Sequence, residues 1–105
     1  MADALEKLKR LEKYLAAGHS ATDPVLEMTL DKLLDREIAQ TRKLQTCLKN
    51  QLANFERQHA LQSDTFHARF QNGDLGDETD FTEWSATIDM LANAEERLTL
   101  LGSGG

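Results

Sequence analysis

The sequence predicts an all-α fold, an antiparallel helical hairpin or bundle built around one long coiled-coil-like helix. Three observations carry this reading. Apolar residues recur at steps of three and four along most of the chain, the period of one helical face. A single Pro and few β-branched residues leave good helix formers in the majority. From Pro24 to His59 no further Gly or Pro interrupts the pattern.

The first helix is expected over residues 3–17. Ala4, Leu8, Leu11 and Leu15 form one stripe flanked by Leu5, while Lys7, Lys9, Arg10 and Lys13 point elsewhere. Gly18 tolerates the positive φ that ends many helices. The second helix is expected over 24–59. Asp23 suits the N-cap, and Pro24 suits the first helical position, where its missing N–H is no loss. At 1.5 Å per residue this helix reaches ~50 Å.

Leu26, Leu30 and Leu33 open its stripe. Leu34, Ile38, Thr41, Gln45, Leu48, Leu52, Phe55 and His59 continue it at alternating steps of four and three, which is a heptad seam. A helix of ~50 Å outruns a 105-residue globule, whose radius of gyration is about 13 Å. Part of the seam is therefore expected to pair between copies, in an antiparallel or two-fold homodimer. Thr41 and Gln45 fall where leucines would normally sit. They read either as the solvated middle of a long helix or as a polar layer that fixes dimer register.

A short third helix is expected over 63–72, with Ser63 as its cap and Phe66 and Phe70 on one face. The fourth is expected over 80–101. There "DFTE" sets Asp80 at the N-cap and Glu83 at N3, an acidic form of the capping box. Between these two helices lies "NGDLGDETDFTEW", residues 72–84, with five acids and two glycines. Gly73 and Gly76 are expected to permit two tight turns. Leu75, Phe66, Phe70, Phe81 and Trp84 are expected to form a hydrophobic plug at this end of the bundle while the acids face water. Residues 1–101 form a single helical domain in this reading, and 102–105, "GSGG", a flexible tail.

The formal net charge is −6, which argues against direct nucleic-acid binding, since neutralising phosphates takes Lys and Arg. The charge is unevenly placed. Residues 36–57 carry five cations and two acids, whereas 70–96 carry eight acids and no Lys or Arg. Folding the fourth helix back along the second brings these segments together, although an exposed pair adds less than ~1 kcal/mol. Cys47 is the only cysteine, which suits a reducing cytoplasm. "MADALEKLKR" lacks the apolar stretch of a secretory signal, and no apolar run approaches the ~20 residues of a membrane span.

No catalytic, metal or cofactor site emerges. The acidic loop does not match the helix–loop–helix calcium pattern, because Gly76 stands where a third oxygen ligand is required. Asp77, Glu78 and Asp80 with His67 could do acid–base work only within a pocket. His19, His59, His67 and Cys47 lack the spacing of a zinc site. His59 reads as a helix-end or interface residue.

The run "FHARFQNGDLGDETDFTEW" resembles a stretch found in small acidic helical proteins of bacteria and archaea, with the loop pattern G-x-L-G-D-x-x-D-F-x-E-W. Phe66, Phe70, Gly73, Leu75, Gly76, Asp77, Asp80, Phe81, Glu83 and Trp84 carry the likeness, and "DPVLEMTLDKLL" resembles that group's long helix. The resemblance implies an antitoxin-like protein with no active site. In that role an acidic surface masks a basic, RNA-handling partner. Asp74, Asp77, Glu78, Asp89, Glu95 and Glu96 are the expected contacts. The alternatives are a structural self-association module, whose acids serve only solubility, and a small metal-dependent or hydrolytic protein using the acidic loop.

Overall fold

Helix α1, Ala4–Ala16, starts where the side chain of Asp3 accepts the backbone N–H of Glu6 at 2.8 Å. The carboxylate satisfies one of the four amides that have no partner inside the helix. The helix ends at Ala17, and Gly18 follows with φ +81° and its N–H bonded to the carbonyl of Leu15 at 2.9 Å. Helix α2, Pro24–His59, is capped by Asp23, which accepts from the N–H groups of Val25 (3.0 Å) and Leu26 (3.4 Å). These local rules act as the sequence suggests.

The computed structural model describes residues 3–18, 23–76 and 78–103. Asp77 and His19 lie outside the described residues. The described residues form four α-helices and no strand: α1, α2, α3 (Ser63–Gln71) and α4 (Thr79–Leu100). Each boundary falls within one residue of expectation. Internal contacts divide the chain into two units, Met1–Leu33 and Leu34–Gly105, where the sequence suggested one domain. The division falls inside α2.

In the first unit no residue of α1 is buried. Leu8, Leu11 and Leu15 of α1 and Leu26 and Leu30 of α2 line one open apolar depression of about 210 Å³.

In the second unit the rest of α2 runs antiparallel to α4. Phe55 stacks on Trp84, with ring centroids 5.6 Å apart, and one turn on, His59 meets Phe81 at 5.4 Å. At the other end Arg42 donates to Ser103 Oγ, just past α4. The core comprises Leu48, Phe66, Trp84, Ala94 and Leu98, together with the polar residues Thr41, Gln45 and Thr87. Thr41 and Thr87 satisfy their hydroxyls by donating to the carbonyls of Glu37 and Glu83, both at 2.8 Å. The register set by Phe55 opposite Trp84 brings Gln45 level with Ala94 and Thr41 level with Leu98.

Several local expectations need correction. The waist at Thr41 and Gln45 is neither solvated nor available to a second copy, because these residues are only 7% and 6% exposed within the chain. The seam Leu34, Ile38, Thr41, Gln45, Leu48, Leu52 and Phe55 is therefore largely the face that α2 turns to its own α4. Thr41, Gln45 and Leu48 are buried, Ile38, Leu52 and Phe55 are half-buried, and Leu34 is open.

Ser63 does not cap α3. Gln62 holds that position without a side-chain bond, and the Ser63 N–H is taken by the Glu56 carboxylate at 2.9 Å. Asp80 is not the N-cap of α4. Glu78 is, with no side-chain bond, so the capping box with Glu83 does not form. Of the two loop glycines only Gly73 has positive φ, +78°, and it ends α3 with Asp74 N–H bonded to the carbonyl of Arg69 at 3.0 Å.

Candidate functional site

The four rings expected in the plug meet around Phe66 and Trp84. Phe66 stacks on the indole with centroids 3.9 Å apart and planes parallel to 1°. Both residues are fully buried. Phe70 stacks on Phe66 at 5.4 Å and Phe81 meets it at 5.6 Å with its plane tilted by 48°. Phe70, Phe81 and Leu75 are half-buried. Burying rings of this size stabilises by roughly 1.5–3 kcal/mol each, with a further ~0.5–1.5 kcal/mol for a well-placed aromatic pair.

Sequence reasoning missed three members of this cluster. Phe55 and His59 both stack on Trp84 from α2, at 5.6 and 5.5 Å. Ser63 Oγ accepts the indole Nε1–H at 2.9 Å. The heptad step from Phe55 to His59 was the signal for the first two. Nothing local marks Ser63, because its tertiary partner lies 21 residues away.

The two loop-proximal histidines face carboxylates. His59 Nε2 lies 3.4 Å from Asp80 Oδ2, and His67 Nε2 lies 4.0 Å from Asp89 Oδ1. The His59 nitrogen is buried and makes no hydrogen bond, so its approach to Asp80 is proximity without bonding geometry. His67 thus faces Asp89, whereas the sequence set it beside Asp77, Glu78 and Asp80. Among the described residues, no group of three or more His, Cys, Asp or Glu side chains is gathered as a metal would need.

A groove of about 470 Å³ runs between α2 and α4, with Gln51, Asn54 and Gln58 facing Glu83, Thr87 and Met90. It is open to solvent, Phe55 and Ala86 complete its lining, and these residues include no nucleophile paired with a base.

The expected contact residues Asp74, Glu78, Asp89, Glu95 and Glu96 are all exposed. Glu78, Asp89 and Glu96 are separated by eleven and seven residues. These spacings are close to whole turns: Asp89 and Glu96 share one face of α4, Glu78 at its N-cap lies in line with them, and Glu95 is about a quarter-turn away. Asp74 precedes the helix. Within 4.0 Å, among the described residues, no Lys or Arg pairs with any carboxylate. The charge asymmetry between α2 and α4 is real, but direct pairs do not realise it. Among the described residues, no helix is long and apolar enough to cross a membrane. No protein-family model, curated protein or solved structure matches this chain.

Proposed function

We propose that this chain is a non-enzymatic protein–protein interaction module, antitoxin-like in its logic, that binds a basic partner through the acidic face of α4 and the loop before it. The observation that supports this most is the row of exposed carboxylates formed by Glu78 at the N-cap of α4 and Asp89 and Glu96 along it, none within 4.0 Å of a Lys or Arg among the described residues. A basic partner would supply the missing cations. Its encounter would be accelerated by the field of eight acids between residues 70 and 96. Asp89 would exchange its contact with His67 for a partner cation. A cytoplasmic setting suits the exposed single thiol of Cys47.

The test is capture from host extract on wild type and on Glu78→Lys/Glu95→Lys/Glu96→Lys, once far-UV circular dichroism shows equal helix content. A basic protein held by wild type and released by the variant, with an on-rate that falls as salt rises, is the expected result. Equal capture by both would sink the reading. A second reading, a structural self-association module, is favoured by a separate observation: α1 buries none of its residues.

A further inference from the structure

The first unit presents an apolar surface that its own two helices leave open. Leu5, Leu8 and Leu11 of α1 are 60%, 47% and 42% exposed, and Leu33 of α2 is 42% exposed. Leu8 and Leu11, with Leu15, Leu26 and Leu30, line the open depression between the helices. Two helices alone cannot enclose a core, and the stable solution is a further layer on top.

The charges at the edges of this face indicate which layer. Lys7 and Arg10 border Leu11 on α1, and by helical spacing Glu27 borders Leu30 on α2, with Asp31 one turn beyond Glu27. All four are exposed, and none has an oppositely charged side chain within 4.0 Å among the described residues. Over its length α1 carries four cations and two acids, while residues 24–35 of α2 carry three acids and one lysine. One chain therefore offers both a basic and an acidic margin around the same apolar surface. Self-complementarity of this kind is what a two-fold interface requires, since whatever one copy contributes to the contact the other contributes in return.

We infer that a second copy of this chain docks on this face, its α2 lying on the first copy's α1 and the reverse, to form a four-helix layer. The alternative two-fold pairing, α2 on α2, would set acids against acids. The contact rests on seven leucines and four charged residues of this face, fewer than the roughly 20–30 residues per partner of a standard interface. The dimer is therefore reversible and concentration-dependent. This interface is separate from the acidic face of α4, so either proposal can fail without the other.

Sedimentation equilibrium over about a hundredfold range of concentration tests it on the full chain. Wild type is expected to pass from monomer to dimer. Lys7→Glu/Arg10→Glu and Glu27→Lys/Asp31→Lys each set like charges together at both contacts, so each alone should dimerise at least about tenfold more weakly. Mixing the two variants restores opposite charges at both contacts, and the mixture should recover dimer. Because all four positions are exposed, helix content should be unchanged, and recovery in the mixture would itself show that both variants remain folded. Wild type that stays monomeric would overturn the inference, as would dimers indifferent to both reversals or a mixture no stronger than its components. A monomer that instead binds anionic vesicles would assign the face to a lipid surface.

Discussion

The indole of Trp84 donates its Nε1–H to Ser63 Oγ at 2.9 Å, which ties the first residue of α3 to the core of α4. The Ser63 hydroxyl therefore acts as a tertiary acceptor and not as a helix cap. Ser63→Ala leaves a buried N–H without its partner and should cost about 1–3 kcal/mol in chemical denaturation. Trp84→Phe removes the donor. In the double variant the serine substitution should then cost about 1 kcal/mol less than it does alone. Zero coupling in this cycle would return Ser63 to a local role.

This pair also shows where sequence legibility ends. Helix positions were readable because Asp23–Pro24, Gly18 and Gly73 act through the residues beside them. The faces of α2 and α4 were readable because a helix repeats every 3.6 residues. Periodicity specifies a face but not its neighbour, so Thr41, Gln45 and Leu48 looked equally suited to a second copy and to α4. A serine at the start of a helix is chemically the same whether it caps locally or accepts from an indole 21 residues on. An acid suits N2 as well as N-cap, because both lie near the positive end of the helix dipole. Asp80 was misplaced for that reason. Of the six acids expected to form a binding face, Glu78, Asp89 and Glu96 align by spacing alone, but their lack of Lys or Arg partners is a property of the folded chain that spacing does not encode.

The end of α2 carries a second illegible feature. Ala60 has φ +49°, and Leu61 N–H closes back to the carbonyl of Glu56 at 3.3 Å. This is the left-handed turn that usually falls to glycine, and its Cβ costs alanine about 1–2 kcal/mol. Ala60 is exposed and loses no packing on truncation. Ala60→Gly should raise stability by up to about 1 kcal/mol after the added freedom of the unfolded chain is counted. Ala60→Val should lower it. A thermal melt reads both, and a drop with glycine would show that the turn is not strained.

His59 packs its ring on Phe81 and Trp84 while its Nε2 is buried without a hydrogen bond, 3.4 Å from Asp80. If the ring acts mainly through stacking, an apolar ring of similar shape serves as well and removes an unsatisfied polar atom. His59→Phe is then neutral or stabilising by about 1 kcal/mol, whereas His59→Ala loses roughly 2–4 kcal/mol with the vacated volume. The phenylalanine variant should also be indifferent to Asp80→Asn beyond the few tenths of a kcal/mol a first-turn acid contributes. A loss above about 1 kcal/mol in His59→Phe would mean that Nε2 bonds Asp80 in solution.

Leu48 tests the finding that the seam of α2 faces its own α4. It lies on the heptad seam that the sequence suggested for self-association, yet it is 2% exposed inside a single chain. Leu48→Ala removes buried methyl groups from the monomer core and should cost about 2–5 kcal/mol in urea unfolding. The dissociation constant measured by sedimentation should stay where wild type has it, provided the variant is folded under those conditions. If the seam instead pairs between copies, the same substitution would weaken association, and the apparent loss of stability would shrink as protein concentration rises. The two outcomes are distinguished by repeating the urea titration at two concentrations. The buried position of Leu48, flanked in the core by Gln45 and Thr41, predicts equal midpoint shifts at both.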